Sequence, residues 1–267
     1  MKKNKNNLFG LLLLLTIIGI PLLLLYKYNE TDRDTIITAH RGDSEHAPEN
    51  TIAAIEMAIN TGADYVEIDV RQTKDNVLVL MHDASLKRTT GMDGNVKDYT
   101  YDELQTLDAG IWFSEEYEGT KIPTLQEALL CASGNVKLNI EIKDCENYKT
   151  VATRVIQSIS ECNMKDNCII SSTNYSCLQV IEKLDSTIMT GIILEDASVG
   201  IDEYQDIDFF SIEFSQVTQD IVDQIHYSGK EIRVWTIDDA YAMLIAQKMD
   251  VDSIITNDPE LAIAVIK

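Results

Sequence analysis

Glu67-Ile68-Asp69-Val70-Arg71-Gln72-Thr73-Lys74-Asp75-Asn76-Val77-Leu78-Val79-Leu80-Met81-His82-Asp83 reads as strand, tight turn, strand. Glu67 and Asp69 are two apart, so on a strand they point to the same side. Two carboxylates on one face amid apolar neighbours are costly to bury unless positive charge sits between them. Thr73-Lys74-Asp75-Asn76 has turn composition. If it closes a hairpin, counting pairs outward from the turn places His82 beside Glu67. Two acids and an imidazole would then meet within one short segment, the outline of a metal-plus-acid/base site. The plainer reading is a polar edge hairpin with solvated charges.

Working outward, apolar strand-like runs alternate with helical patterns. The predicted strands are 35–39, 65–70, 136–142, 167–171, 188–193, 207–212, 231–236 and 252–256. Amphipathic helices are predicted at 50–61, 124–133, 147–162, 174–184, 218–228, 238–248 and 258–266, with 193–207 the weakest helical connection. Near-continuous Ile/Val strands alternating with helices indicate a parallel sheet. If Val77–Met81 is an excursion from the second strand, eight strands remain, and eight βα units in about 235 residues fit a TIM (β/α)8 barrel, an α/β fold. An open doubly wound sheet is the alternative, but no Gly-rich dinucleotide loop follows the first strand. Residues 84–122 are too long for an ordinary connection. They are expected to form an inserted lobe over the barrel mouth, because Tyr101, Trp112 and Phe113 favour burial.

Lys2, Lys3 and Lys5 precede Leu8–Leu25, 18 apolar residues without a charge. As a helix this run spans roughly 27 Å, enough to cross a bilayer core. A cleaved signal peptide is the rival, but its apolar region is usually shorter and ends in small residues, whereas Tyr26-Lys27-Tyr28 follows here. Residues 1–27 are therefore expected to be an uncleaved single-pass membrane anchor, 28–34 a polar linker and 35–267 the barrel. The positive N-terminus would face the cytoplasm and the barrel would lie outside the cell membrane. Residues 1–27 hold four of the 22 Lys and Arg and no acid. The body thus carries 18 basic against 44 acidic residues, a net −26. Such a body offers no basic patch for nucleic acid, and an anionic substrate would need a local cation. The five cysteines, 131, 145, 162, 168 and 177, show neither metal-site spacing nor an even disulfide set.

In a TIM barrel the active site lies at the C-terminal ends of the strands. There the sequence places His40-Arg41-Gly42, Glu67 and Asp69, His82 at the end of the hairpin, Glu141 and Lys143, and Trp235-Thr236. Glu67, Asp69 and Glu141 offer hard oxygen ligands, suited to one divalent ion, Ca²⁺ or Mg²⁺. Lys143 shares a strand face with Glu141 and could instead neutralise it. Arg41 suits a phosphate oxygen pair. His40 and His82 can trade protons near neutral pH, while His46 and His226 receive no role. A metal, two imidazoles, an Arg and a Lys together suggest phosphodiester cleavage.

The motifs His40-Arg41-Gly42, Pro48-Glu49-Asn50-Thr51, Glu67-x-Asp69, His82-Asp83, Leu86-x-Arg88-Thr89-Thr90, Ile122-Pro123-Thr124-Leu125, Glu141-x-Lys143 and Trp235-Thr236 occur in this order across residues 36–258. In this combination the chain resembles the glycerophosphodiester phosphodiesterase family, with the anchor lying outside the resemblance. The resemblance implies a TIM barrel with a characteristic insertion and a divalent metal on Glu67, Asp69 and Glu141. It implies that His40 and His82 are the catalytic pair, that Arg41 and Lys143 contact phosphate, and that Trp235 forms part of the substrate wall. Glu49 and Asn50 take supporting positions. The family mechanism would have a glycerol hydroxyl attack phosphorus, one His removing its proton and the other protonating the leaving alcohol. Water would then open the cyclic phosphate to glycerol 3-phosphate. A small glycerophosphodiester is the expected substrate, and a membrane tether would also suit lysophospholipids or glycerophosphate (teichoic acid) polymers. The rival of another class is a non-catalytic, metal-dependent binding protein on the membrane.

Overall fold

The computed structural model describes residues 34–143, 147–196 and 200–267. The proposed anchor and most of the linker lie outside them. Among the described residues no helix is long and apolar enough to cross a membrane.

Nine strands form: β1 (Ile36–Ala39), β2 (Tyr65–Gln72), β3 (Leu78–Leu80), β4 (Lys137–Ile142), β5 (Cys168–Ser172), β6 (Thr190–Leu194), β7 (Phe209–Glu213), β8 (Glu231–Trp235) and β9 (Ser253–Thr256). Eight of them pair in parallel in the order β1-β9-β8-β7-β6-β5-β4-β2, and a further β1–β2 pairing closes the ring. That closure rules out the open sheet. The eight are the eight strands expected. Their outward side chains, such as Val66, Ile68, Ile140 and Val234, join one core with the flanking helices. The helices at Ile52–Thr61, Leu125–Ala132, Tyr148–Glu161, Tyr175–Leu184, Gln219–Tyr227, Ala240–Lys248 and Pro259–Ile266 match the seven expected. The 193–207 connection holds only a short 3-10 turn, Ile201–Glu203, among the described residues.

The interior is more polar than the exterior of the ring. Thr38 bonds Ser253 at 2.9 Å and Ser171 bonds Asn139 at 3.0 Å, both pairs buried. Arg233 is fully buried beneath them, its guanidinium 4.7 Å from the Phe209 ring centre and 5.1 Å from that of Tyr65. It is ion-paired to Glu231 at 2.8 Å. Gly191 makes room for this floor, since a Cβ there would stand 2.1 Å from the Phe209 ring.

β2 decides how the mouth is built. Its first residues, Tyr65 and Val66, pair with β1, and its last three, Val70 to Gln72, pair antiparallel with β3 along the same edge. β3 therefore sits beyond the end of β1 and outside the ring, as the excursion reading requires. The register differs from expectation by one residue. Gln72 pairs with Leu78, because Thr73 N donates to Val77 O and Thr73 Oγ1 accepts from Val77 N, lengthening the turn. His82 thus does not sit opposite Glu67; pairing ends at Leu80 and the chain carries His82 past the strand. Arg71 holds it there, donating from Nε and Nη2 to the His82 carbonyl at 2.9 and 2.6 Å.

Residues 84–122 have a small core of their own: Leu86, Val96, Leu104, Ala109 and Ile122 pack with Val79 and Met81. Trp112 departs from expectation by remaining 38% exposed. It is held by other means: its indole N–H donates to the Ala109 carbonyl, and its ring lies 5.9 Å from the Arg88 guanidinium.

Candidate active site

His40 and Arg41 follow β1 directly. Arg41 takes a left-handed conformation (φ 57°), and Gly42 continues it at φ 87°. A Cβ on Gly42 would lie 2.6 Å from the backbone of Ala54, so the helix after this loop packs against the loop only because the residue is glycine. The turn aims the Arg41 N–H at Glu67 Oε2, 2.9 Å away.

The His40 ring is fixed from behind. Asn257, just after β9, donates from Nδ2 to the Asp238 carboxylate at 2.7 Å. Its Oδ1 must then face His40 Nδ1, 2.7 Å away, and accept from Ser44 Oγ at 2.9 Å. A carboxamide oxygen only accepts, so Nδ1 carries the hydrogen and Nε2 keeps its lone pair. Nε2 lies 4.0 Å from Glu67 Oε2. Burial, followed by the positive charge of Arg41, pushes the His40 pKa down to about 4. The imidazole is therefore neutral at neutral pH. Asn257 is not among the site residues expected from the sequence. The available signal was Asn257-Asp258-Pro259 between a strand and a helix.

His82 has a different partner. Its Nδ1 meets Asp83 Oδ1 at 2.8 Å, and Arg88 Nε donates to Asp83 Oδ2 at 2.7 Å. The Arg88 bond first of all pulls the Asp83 carboxyl down to about 2. Burial lowers the His82 pKa, against an opposing pull from Asp69. Arg88 also grips Glu49, which in turn receives Arg41 Nη1 at 3.0 Å.

Glu67 and Asp69 are 4% and 1% exposed, inside the barrel mouth. Asn50, at φ 57°, bonds Asp69 twice: Nδ2 to Oδ2 at 2.7 Å, and Asp69 N to its Oδ1 at 3.0 Å. Lys143 Nζ lies 2.6 Å from Glu141 Oε1 and 3.2 Å from Asp69 Oδ1. Oxygens of Glu67, Asp69 and Glu141 all lie within 4.8 Å of one another. Burial, then the charges of Asp69 and Glu141, raises the Glu67 carboxyl well above its ordinary range. Burial and Asp69 push Glu141 up to about 7. Burial alone would raise Asp69 too, but Lys143 and Arg41 outweigh it and hold the carboxyl low. Glu67 Oε1 is buried without a hydrogen-bond partner, and Asp69 Oδ1 has only its ion-pair contact with Lys143. Crowded, buried carboxylate oxygens, one of them without any partner, are what a hard divalent cation requires, so the residues present fit one.

The structure thus brings together His40, Arg41, Glu49, Asn50, Glu67, Asp69, Glu141 and Lys143. His82 lies within electrostatic reach of Asp69, Arg41 and Lys143. Trp235 ends β8 on the same mouth, its indole N–H buried and unbonded. His46 bonds Asp43 and His226 bonds Asp252.

A closed parallel barrel thus carries this set of acids, imidazoles and cations at the C-terminal ends of its strands. Residues 40–261 match the family model described as "Glycerophosphoryl diester phosphodiesterase family", and the chain belongs to that family. A glycerophosphodiester phosphodiesterase of Caldanaerobacter subterraneus subsp. tengcongensis is 36% identical over 242 residues, covering 87% of this chain and 98% of that protein. One from Bacillus subtilis is 31% identical over 285 residues, covering 98% and 97%. Among solved structures, an Oleispira antarctica phosphodiesterase in complex with its product sn-glycerol-3-phosphate superposes with a TM-score of 0.84 at 31% identity, covering 86% and 96%.

Proposed function

We propose that the chain hydrolyses glycerophosphodiesters to glycerol 3-phosphate and an alcohol, using one divalent ion and a histidine acid/base pair. The observation that carries this is the buried Glu67–Asp69–Glu141 cluster, in which Glu67 Oε1 has no partner, flanked by two imidazoles whose Nδ1 atoms are both anchored. Mg²⁺ or Ca²⁺ held by the three acids would draw charge off the phosphate oxygens. Arg41 and Lys143 supply further positive charge at the phosphate, and Trp235 offers an apolar wall with a free N–H. Glu49 and Asn50 support the site by holding Arg41 and Asp69.

We assign the proton work from the partners of the two rings. His40, neutral and backed by a carboxamide, presents Nε2 as the base that takes the proton of the attacking glycerol hydroxyl. His82, backed by the Asp83 carboxylate, is the group better able to carry an extra proton and gives it to the leaving alcohol oxygen. The cyclic phosphate so formed is opened by water with the roles reversed.

The product complex of the Oleispira antarctica relative supports the glycerol 3-phosphate side of this reading. The test is turnover of glycerophosphocholine with coupled detection of glycerol 3-phosphate, with lysophosphatidylcholine beside it to set substrate size. Release of glycerol 3-phosphate is expected; none from any glycerophosphodiester would overturn the reading in favour of a binding protein.

The apolar run Leu8–Leu25, with Lys2, Lys3 and Lys5 before it, supports a membrane-anchored enzyme with its barrel outside the cell. Protease digestion of intact spheroplasts should remove the barrel. A barrel that stays protected, or fractionates without the membrane, refutes that placement.

A further inference from the structure

Of the four side chains joined behind the His40 ring, three can hydrogen-bond in either sense. An imidazole Nδ1 donates or accepts according to its tautomer, and the Ser44 hydroxyl does either as well. The Asn257 carboxamide can turn its oxygen or its nitrogen to the ring with almost the same shape. Asp238, in the loop after β8, is the fourth. Its Oδ1 accepts from Asn257 N at 2.8 Å and from Thr256 Oγ1 at 3.0 Å, and its Oδ2 accepts from Asn257 Nδ2 at 2.7 Å. An ionised carboxylate only accepts, so the direction of the whole chain of hydrogen bonds starts at Asp238 and ends at His40.

We propose that Asp238 is a positioning residue for the base. Acting through Asn257, it keeps the hydrogen on His40 Nδ1 and the lone pair on Nε2. The kinetic consequence rests on the phosphodiesterase reading above, whereas the tautomer is a property of the resting protein.

The substitution Asp238→Asn should reverse the chain. The oxygen of the new side chain still has to accept from Asn257 N and Thr256, which leaves its amide nitrogen facing the Asn257 side chain. Two amide nitrogens cannot bond each other, so the Asn257 carboxamide turns over. Its nitrogen then meets His40 Nδ1 and drives the ring hydrogen onto Nε2. Nε2 would aim that hydrogen at Glu67 Oε2, 4.0 Å away, and offer no lone pair to a substrate hydroxyl. Exchanging both residues, Asp238→Asn with Asn257→Asp, restores the original direction. The new amide donates to the new carboxylate, whose other oxygen accepts from Nδ1–H. Asp238 is exposed, so neither protein buries a new group.

Nitrogen-15 NMR of the imidazole rings in the full chain reads the tautomer, with the His40 signals identified by their loss in His40→Gln. At about pH 8, where an imidazole is neutral, the native chain should show Nδ1–H, Asp238→Asn should show Nε2–H, and the double exchange should return to Nδ1–H. In Asp238→Asn, kcat for glycerophosphocholine should fall roughly 10- to 100-fold, less than on removing the base outright, with KM within about threefold. The double exchange should recover most of it. A merely structural role for Asp238 would leave the tautomer alone and damage the double exchange at least as much as the single one. Nδ1–H in folded Asp238→Asn, or Nε2–H in the double exchange, therefore overturns the role of Asp238. If Asp238→Asn alone does not fold, the double exchange decides by the same criterion. The expected tautomers in a native chain that turns over no glycerophosphodiester would overturn the phosphodiesterase reading and leave Asp238 in its place.

Discussion

Arg88 and Glu49 face each other in a two-pronged ion pair, Nη1 2.6 Å from Oε2 and Nη2 2.8 Å from Oε1. Arg88 belongs to the inserted lobe and Glu49 to the loop after β1, so the pair ties the two sides of the mouth together. The same guanidinium bonds Asp83, and Asp83 bonds His82. One side chain thus connects the lobe, the loop that carries Arg41, and one of the two imidazoles.

Replacing Arg88 should therefore affect more than the lobe. Arg88→Ala leaves Glu49, which is only 11% exposed, with Arg41 alone and frees Asp83 to turn away from His82. We expect a stability loss of about 1–3 kcal/mol, as for a hydrogen bond to a charged group. We also expect a fall in kcat of roughly 10- to 100-fold. Arg88→Lys should rescue little, because an ammonium cannot bond both carboxylates in the same plane. Denaturant unfolding and steady-state kinetics check both; an unchanged kcat would show that the chain of contacts does not reach the chemistry.

His40→Ala and His82→Ala should each lower kcat by roughly 10²- to 10⁴-fold, the usual range for a positioned acid or base. Circular dichroism should stay native in both, since neither side chain belongs to the apolar core. Near-normal turnover in either variant would remove that residue from the mechanism.

Removal of metal should abolish activity, and Mg²⁺ or Ca²⁺ should restore it. A readout that does not depend on catalysis comes from Glu67. In the metal-free protein its carboxyl is raised by burial and by the neighbouring acids, so Glu67→Gln should be at least as stable as the native chain. The native protein should gain Tm on adding the ion and the variant should gain little. Full activity after exhaustive chelation, or an equal Tm gain in both proteins, would count against the proposed ligands.

The folded protein binds fewer protons at His40 than the unfolded chain does between about pH 6.5 and 4. Stability of the metal-free protein should therefore fall as pH drops through that window, by up to about 3 kcal/mol from this group, and be unaffected by it above pH 6.5. Asn257→Asp places a carboxylate against Nδ1 and should move the acid limb of the kcat/KM profile upward by about one unit. Asn257→Ala should lower kcat without that upward move. Chemical unfolding from pH 4 to 7 and the two pH–rate profiles decide it.

Most of the architecture was legible in the sequence because parallel-barrel strands are marked twice. Their apolar runs, such as Cys168-Ile169-Ile170, are short and bounded, and most are followed by a helix with a readable start, such as Asn174 or Asp258. The carboxylates were legible for the converse reason. An acid in an apolar run, as at Glu67, Asp69 and Glu141, would be excluded from a core unless something else compensated it. The one-residue error in the β2–β3 register came from a local side-chain effect, the Thr73 hydroxyl accepting from Val77 N, which pattern counting does not detect. Asn257 has no place among the residues expected at the site, and Arg88 stands there only within the Leu86-x-Arg88-Thr89-Thr90 motif, without a role. Their roles come from partners 217 and 39 residues away.

The number and order of the strands, the excursion after the second, and the residue types gathered at the strand ends all follow from the amino-acid pattern, because periodicity and the cost of burying charge are local properties. Only the tertiary structure decided which hydrogen bonds anchor each imidazole and which cation neutralises which acid. Those relations depend on ring closure. The β1–β2 pairing brings Thr38 beside Tyr65, and the β1–β9 pairing brings Ala39 beside Thr256, so chain segments more than two hundred residues apart become neighbours at hydrogen-bond distance.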